Sequence, residues 1–249
     1  MTQPTVLITG ASRGIGAACA VLFAKKGYRV AVNYLANDRA AEQLLSTLEN
    51  PESHLLFKAD VSDEADCEKL FAAIDNEFGR LDVLVNNVGI LYQQTNLLGL
   101  NAERIEKVFR SNVISQFLCA KHAVHRMSKQ SGGDGGSIVN VSSGAALTGS
   151  PNEYLDYAAS KGAIDSFTKG LAKEVAAMGI RVNGVRPGLI YTDMHADGGE
   201  PRRVERLRQN IPLKRGGYPE EVAKSIYFLA SNDASFTTGS FIDVSGGLT

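Results

Sequence analysis

The feature that most constrains the fold of this chain is a glycine-rich loop close to its start. TGASRGIG (9–16) directly follows the β-branched run VLIT (6–9) and opens the apolar helical segment IGAACAVLFAKK (15–26). Glycines let a loop turn tightly, and its backbone can then approach a pyrophosphate, which the free N–H groups of the helix N-terminus receive. A Gly-rich turn that only packs a helix on a strand is the alternative, but the strand–loop–helix order favours a dinucleotide site. The candidate contacts are Gly10, Ser12, Arg13, Gly14, Ile15 and Gly16.

Short β-branched runs alternate with longer amphipathic segments along the whole chain. The predicted strands, seven in all, lie at 6–9, 29–34, 55–60, 82–87, 137–143, 181–188 and 240–247. Helical spacing of apolar residues predicts helices at 15–26, 38–49, 64–78, 101–129, 155–178 and 219–231. This alternation is typical of an α/β fold with a doubly wound parallel sheet, helices on both faces and ligands beyond the carboxyl ends of the strands. We expect a single domain over 1–249, in which the polar segment 190–217 forms a mobile lid over the substrate.

Charge and cysteine content limit the partners and the compartment. Lys and Arg number 26 against 27 Asp and Glu, so neither nucleic acid nor a membrane surface is an expected partner. Cys19, Cys67 and Cys119 each lie in an apolar helical stretch, where burial as a free thiol is favoured over a disulfide or a metal site. No metal is expected, because the histidines are scattered without ligand spacing, at His54, His122, His125 and His195. With no leader sequence or long apolar stretch, we expect a cytoplasmic protein.

The end of the second strand bears on which dinucleotide binds. Sites for NAD usually have an acidic residue there, but this strand ends in Asn33 and Tyr34. Arg13, inside the glycine loop, could pair with an additional 2′-phosphate, so the sequence favours NADP(H). A merely solvated Arg13 is the alternative, and Asp38, a few residues on, leaves NAD(H) as a second option.

The third strand contributes a further pair of candidate cofactor contacts. Asp60 could hydrogen-bond an adenine amino group, and Val61 could pack on the ring. A helix-capping role for Asp60 or Ser62 is an equally simple interpretation.

Tyr157 and Lys161 form the candidate catalytic pair, because they project from the same helix face one turn apart. A free tyrosine titrates near about pH 10, and a neighbouring ammonium together with a cationic nicotinamide would lower that pKa towards the operating range. Ser143, after the fifth strand, could share the charge developing on a substrate oxygen, with Ser142 as its rival. Asn112 is flanked by apolar residues, so we expect it to face inward and hold a water behind Lys161.

Taken together, these residues resemble the short-chain dehydrogenase/reductase family, in its short, single-domain, Rossmann-fold branch. The resemblance covers essentially the whole chain, since Thr9–Gly16 matches the cofactor loop, Ser143, Tyr157 and Lys161 match the active site, and Asn112 matches the helix asparagine. It extends the cofactor contacts to Asn87, Val88, Gly89, Pro187, Gly188, Ile190 and Thr192. It also implies a homotetramer, or at least a dimer, formed through the two long helices and the C-terminal strand.

The sequence departs from the family pattern in two places. Val88 replaces a usual alanine, and the spacing from Ser143 to Tyr157 is one residue longer than is usual, which predicts a bulge at the mouth of the pocket. The chain resembles uncharacterised bacterial oxidoreductases that are grouped with glucose 1-dehydrogenases and 3-oxoacyl-[acyl-carrier-protein] reductases. This resemblance implies hydride transfer between a nicotinamide and a small-molecule carbonyl or alcohol.

The substrate is left open by the sequence. A mildly basic lid would favour an anionic substrate, and a docking patch of Arg126, Lys129 and Lys173 beside the pocket would favour an acyl carrier protein. Hydrogen-bonding groups on 152–154, NEY, would instead suit a sugar or polyol. A non-catalytic dinucleotide sensor is the alternative from a different class, although such proteins typically lose the Ser, Tyr or Lys that this chain retains.

Overall fold

The computed structural model describes residues 3–249 and has a seven-stranded sheet at its centre. The strands are β1 (Thr5–Ile8), β2 (Arg29–Tyr34), β3 (Leu55–Lys58), β4 (Val83–Asn86), β5 (Gly136–Val141), β6 (Ile180–Pro187) and β7 (Phe241–Val244). Their order in the sheet is β3-β2-β1-β4-β5-β6-β7, and every neighbouring pair is parallel. Strands up to β3 are thus added on one side of β1, and strands from β4 onward are added on its other side. This change of side creates a crevice at the carboxyl ends of β1 and β4.

The helices connect these strands and are distributed over both faces of the sheet. They are α1 (Gly14–Lys25), α2 (Asp38–Thr47), α3 (Glu64–Phe78), α4 (Ala102–Phe109), α5 (Ser115–Met127), α6 (Ala145–Thr148), α7 (Leu155–Val175), α8 (Met194–Asp197), α9 (Arg203–Leu207) and α10 (Pro219–Ala230). A π-helical turn at Arg110–Ile114 joins α4 to α5. The predicted doubly wound Rossmann fold is confirmed, and each predicted strand and long helix is present within a few residues of its expected bounds.

Two apolar cores lie on opposite faces of the sheet, because side chains alternate along each strand. Ile8 of β1 packs with α1, α2 and α10 through residues such as Phe23 and Ile226. Its neighbour Leu7 faces the other way and packs with α3, α5 and α7 through residues such as Phe71. Strands buried on both faces need nearly continuous apolar runs, which is what the sequence provides.

Two segments differ from their predicted forms. The single helix expected over 101–129 is interrupted by the π-helical turn, which places Asn112 at 0% exposure. Within 190–217, expected to be irregular, the chain forms the short helices α8 and α9. In residues 3–249 we find no helix with both the length and the apolar character needed to span a bilayer.

Candidate active site

A cavity of about 190 Å³ opens at the carboxyl ends of the central strands. The residues that reach it come from the ends of β4, β5 and β6, from α7 and from the segment 190–217. Those predicted from the sequence are Ile15, Asn87, Gly89, Ser143, Tyr157, Lys161, Pro187, Gly188, Ile190 and Thr192. The fold thus brings together side chains that are far apart in the sequence, at the edge of the sheet where ligands bind in this fold.

The glycine loop has the geometry that a phosphate site needs. Gly10 and Gly14 have φ values of +61° and +57°, which glycine adopts without strain. A Cβ on Gly16 would lie 2.7 Å from both the Gly10 carbonyl oxygen and Asn87 Nδ2, so only glycine fits there. The N-terminus of α1 has no side-chain cap and no acidic residue in its first turn. Its N–H groups and positive dipole end therefore suit the anionic pyrophosphate of a dinucleotide.

Two asparagines hold this loop in place. Asn87 Nδ2 donates to the carbonyl oxygens of Thr9 and Gly10, at 2.9 and 3.1 Å. Asn33 is buried, accepts from the Gly10 N–H at 3.3 Å and donates to the Ala59 carbonyl at 3.1 Å. The Asn33 side chain, predicted as a cofactor contact, thus lies behind the loop. It would influence a bound cofactor only by positioning the backbone of Gly10.

The residues expected near the adenosine lie at the ends of β2 and β3. The Tyr34 hydroxyl donates to Asp38 Oδ1 at 2.9 Å, and Lys58 pairs with the same carboxylate at 2.9 Å. Asp38 is thereby partly neutralised, and hydrogen bonding to Lys58 and Tyr34 lowers its pKa. An acid that is already paired is a weaker partner for ribose hydroxyls than a free one.

Asp60 forms a tight turn at the end of β3. Its Oδ1 accepts from the backbone N–H and the hydroxyl of Ser62, at 2.9 and 2.7 Å. The capping role considered for Asp60 or Ser62 is wrong, because Asp63 is the N-cap of α3 and accepts from the Asp66 N–H at 3.1 Å. Val61, beside Asp60, is buried.

Adjacent serines after β5 have different environments. Ser142 is buried and donates to Asp165 Oδ1 at 2.6 Å, while Arg186 binds the other oxygen of that carboxylate at 2.8 Å. Ser143 borders the cavity, its Oγ accepts from the Ala145 N–H at 3.1 Å, and it acts to lower the pKa of Tyr157. Of these two serines, Ser143 is therefore the one with a hydroxyl available to a ligand.

Tyr157 and Lys161 lie one turn apart on α7, and both are largely enclosed. Lys161 Nζ donates to the Val141 carbonyl at 2.8 Å and lies 5.6 Å from the centre of the Tyr157 ring. Burial lowers the pKa of Lys161 to about 8, although Asp165 opposes the shift. Burial raises the pKa of Tyr157, and the hydrogen bond from Ser143 opposes it only in part. The lowered tyrosine pKa predicted from spacing is wrong for the protein itself, because desolvation disfavours the phenolate more than Ser143 favours it.

Asn112 faces inward as predicted, at a wide turn next to Lys161. Its Oδ1 accepts from the Ile90 N–H at 2.7 Å, and its Nδ2 donates to the Ile90 carbonyl and to Ser160 Oγ, both at 3.0 Å. Both amide hydrogens are in use, so the water expected behind Lys161 would have to donate to Asn112 Oδ1, and that water stays a prediction. A Cβ on Gly89 would lie 3.2 Å from Lys161 Nζ and 3.7 Å from Asn112 Oδ1. Glycine therefore keeps open the space between the ammonium and the amide oxygen.

The segment 190–217, which we call the lid, forms one wall of the cavity and contacts loops outside it. These contacts join Arg203 to Glu153 (2.5 Å), Glu200 to Gln94 (2.6 Å), Gly198 to Tyr154 (3.3 Å) and Asp197 to Arg13. Arg13, proposed to meet a 2′-phosphate, is therefore paired with the lid while about half of its side chain stays exposed. The structure has the lid docked, and its mobility stays a prediction.

The lid carries paired charges. Its ion pairs are Arg203 with Glu200, Arg206 with Glu200, Arg208 with Glu205 and Arg215 with Glu221. The sequence predicts a mildly basic lid that would favour an anionic substrate. That prediction is wrong for these arginines, because nearby carboxylates neutralise their charges.

The docking patch expected beside the pocket lies elsewhere. Arg126 is in the last turn of α5, Lys129 follows that helix, and Lys173 is near the end of α7, so all three lie where β5 and β6 begin. Arg126 also pairs with Asp75 at 2.6 Å. Within this chain the patch is at the opposite edge of the sheet from the cavity, and the prediction is wrong for that geometric reason.

Several cavity residues were missed by the sequence reasoning. Leu91, Met194, His195 and Leu248 border the cavity, yet they come from loops and from the short helix α8, where the sequence has no periodicity or motif. Of the NEY segment only Tyr154 reaches the cavity, while Asn152 is exposed and Glu153 pairs with Arg203. In the described part of the chain, no three His, Cys, Asp or Glu residues converge on a metal site.

Comparison with known proteins agrees with this architecture. A family model described as enoyl-(acyl carrier protein) reductase matches residues 10–249. An uncharacterised oxidoreductase of Escherichia coli (strain K12) is 55% identical over 242 residues, covering 97% of this chain and 98% of that protein. A glucose and ribitol dehydrogenase homolog of Oryza sativa subsp. japonica is 37% identical, covering 100% and 86%. The crystal structure of a short-chain type dehydrogenase/reductase from Mycobacterium marinum has a TM-score of 0.90 and 32% identity, covering 100% and 96%. The resemblance drawn from the motifs is thereby confirmed, and the chain belongs to the short-chain dehydrogenase/reductase family of oxidoreductases.

Proposed function

We propose that the protein is an NADP(H)-dependent oxidoreductase that transfers a hydride between nicotinamide C4 and a carbonyl or secondary alcohol. The observation that carries this proposal is the position of Tyr157, which is enclosed beside Lys161 and borders, together with Ser143, a cavity that Asn87 and Gly89 also line. A proton donor, a polar partner for the substrate oxygen and a cation thus share one cavity.

Each side chain has a distinct role in the proposed reaction. When bound, the cofactor supplies or accepts the hydride. Tyr157 protonates the substrate oxygen during reduction, and its raised pKa keeps it protonated at neutral pH, ready to donate. Ser143 donates to the same oxygen, and Lys161 holds the ribose hydroxyls and supports Tyr157 electrostatically. Asn112 fixes the backbone at Ile90 and so shapes the space beside Lys161.

The dinucleotide would lie along the carboxyl edge of the sheet. The glycine loop would hold its pyrophosphate, and the ends of β2 and β3 would hold the adenosine. The proposed contacts are Gly10, Ser12, Arg13, Gly14, Ile15, Gly16, Tyr34, Asp60, Val61, Asn87, Val88, Gly89, Pro187, Gly188, Ile190 and Thr192, while Asn33 supports the loop from behind through Gly10. Thr192 Cγ2 lies 3.4 Å from where a Cβ on Gly14 would be, so the start of the lid crosses this loop.

Mutation of Tyr157 separates an enzyme from a dinucleotide sensor. Tyr157→Phe removes only the hydroxyl, so turnover should fall by about 10² to 10⁴-fold while the Kd for NADPH changes little. We would titrate the purified protein with NADPH and NADH and then assay ketones, diketones, sugars and acyl thioesters. Full activity in the variant would rule out Tyr157 as the acid/base, and NADPH binding without turnover by the wild type would favour the sensor.

The preference for NADP(H) depends on Arg13 and on the partial neutralisation of Asp38. Arg13→Ala should weaken NADPH binding by about 10 to 100-fold and leave NADH binding nearly unchanged, because it removes a charge-assisted hydrogen bond to the 2′-phosphate. Asp197→Ala is the matched control, since it frees Arg13 from its ion pair and should not weaken NADPH binding. Equal losses for both nucleotides in Arg13→Ala would contradict the assignment.

Two substrate classes, sugars or polyols and 3-oxoacyl thioesters, follow from the family. The name of the rice relative supports the first, and the name of a 3-oxoacyl-[acyl-carrier-protein] reductase of Synechocystis sp., 39% identical over 250 residues, supports the second, although the docking patch expected for it lies away from the cavity. We also infer a homotetramer or dimer formed through the long helices and the C-terminal strand. A cytoplasmic location is inferred from three buried free cysteines, which suit a reducing compartment.

A further inference from the structure

Besides Thr192, already proposed as a cofactor contact, the lid places two polar side chains on the cavity wall, His195 and Arg203. We call them the lid pair. They come from α8 and α9, and neither belongs to the Ser143, Tyr157 and Lys161 group. Polar side chains on a mostly apolar cavity wall fix the orientation of a ligand and decide which ligand fits.

Arg203 is held rigidly and retains donors for a ligand. Its side chain is 11% exposed, binds both oxygens of Glu153 at 2.5 and 3.0 Å, and binds Glu200 at 3.1 Å. These bonds use three of the five guanidinium N–H groups. The guanidinium also lies over the Tyr154 ring, 5.1 Å from its centre. A guanidinium fixed from behind in this way directs its remaining donors without losing much side-chain entropy.

The charge around Arg203 favours a neutral ligand. Glu153 and Glu200 contribute two negative charges, and Arg203 and Arg206 contribute two positive charges to the same network. An anion at this wall would meet no net positive charge. A group that accepts a hydrogen bond without carrying a charge is the better match.

His195 complements Arg203 by offering an acceptor. Its Nε2 lies 2.9 Å from the Ile190 carbonyl oxygen, which can only accept, so Nε2 carries the proton and Nδ1 has a free lone pair. Burial and the nearby Arg203 lower the pKa of His195, which keeps the ring neutral at pH 7.

We propose that Arg203 and His195 bind hydroxyl groups of the substrate, so that the enzyme acts on a polyhydroxylated carbonyl compound or the corresponding polyol. A hydroxyl both donates and accepts, and the lid pair provides one donor and one acceptor for it. An alkyl chain placed there would leave the spare Arg203 N–H groups and His195 Nδ1 facing a group that cannot hydrogen-bond, which disfavours it. This inference rests on the proposed function and identifies the substrate class of that same cavity.

Paired aldehydes test the inference directly. We would measure kcat/KM with NADPH for glyceraldehyde and for propanal, which have the same carbon chain and differ in their hydroxyls. The wild type should prefer glyceraldehyde by at least about 10-fold. Arg203→Lys keeps a cation for Glu153 but removes the spare donors, and His195→Phe keeps a planar ring but removes the acceptor together with the donor to Ile190. Each variant should lower kcat/KM for glyceraldehyde by about 10-fold and leave propanal unchanged.

Arg206→Lys is the matched control, because Arg206 belongs to the same ion-pair network but does not border the cavity. It should leave both substrates unaffected. Equal wild-type rates for the two aldehydes, or equal losses for both in the lid-pair variants, would overturn the inference while leaving the oxidoreductase proposal intact. Reduction of neither aldehyde by an NADPH-bound wild type would overturn both.

Discussion

Lys161 occupies a position that a lysine seldom takes, since it is almost fully enclosed and its ammonium donates to the Val141 carbonyl. The spacing of Tyr157 and Lys161 predicted their common helix face correctly, because a one-turn separation fixes that geometry. The spacing could not predict whether the pKa of Tyr157 is raised or lowered, because that shift depends on burial by distant loops. Which of Ser142 and Ser143 faces the cavity likewise depends on Asp165, which no local pattern connects to them.

The buried ammonium predicts a pH-dependent stability. The pKa of Lys161 falls from 10.5 when unfolded to about 8 when folded, so the unfolded state binds more protons between these values and stability rises with pH there. From about pH 7 to about pH 10 this contribution should raise the free energy of unfolding by about 3 kcal/mol. Urea denaturation of the wild type and Lys161→Gln at both pH values measures it, because the glutamine retains a donor for Val141 but has no titrating group. The same pH dependence in both proteins would contradict this account.

At the scale of elements, strand ends and helix starts were predicted well because glycines and apolar periodicity mark them. The π-helical turn was missed, since its sequence, RSNVI, has ordinary helix-forming residues. Tertiary contacts account for the turn, because Asn112 bonds Ile90 and Ser160 from it. The lid helices were missed because they are very short.

Two glycine substitutions test whether the glycine loop and α7 each have room for a methyl group. Gly16→Ala should destabilise the protein by about 1 to 3 kcal/mol and weaken NADPH binding, because its Cβ would overlap the Gly10 carbonyl. Gly170→Ala is the matched substitution within α7, where no atom lies within 4 Å of the new methyl group. It should stabilise the protein by about 0.5 to 1 kcal/mol through helix propensity. Thermal denaturation and NADPH titration measure both, and a tolerated Gly16→Ala would show that the loop can move.

At the scale of the whole molecule, the sheet was predictable from the sequence and the lid contacts were not. Alternating strands and helices allow few topologies, whereas the pairing of Arg203 with Glu153 joins residues fifty positions apart, one in the short helix α9 and the other in a loop. The position of the basic patch could not be predicted from the sequence either, because only the topology shows that it lies at the far edge of the sheet.

Apolar side chains on the outer surface of α5 and α7 support the inferred assembly. Phe117 is 48% exposed and stacks on Phe167, with ring centres 3.9 Å apart, and Ile114 beside it is also exposed. Phe117→Glu should therefore shift the protein to a smaller species, because a charge at a buried contact is unfavourable. Analytical ultracentrifugation of both proteins measures the mass, and Leu35→Glu, on an exposed residue after β2, is the control. An unchanged mass for Phe117→Glu would place the contact elsewhere.

The strand order also bears on how the chain is made. During synthesis β1 emerges first, β2 and β3 are then added to one side of it, and β4 to β7 are added in succession to the other. Every new strand pairs with an edge already present, and no strand has to insert between two others. Folding can therefore proceed outward from the centre while the ribosome is still translating. Because Leu248 and Thr249 border the cavity, a nascent chain can complete most of its sheet well before it can complete its active site.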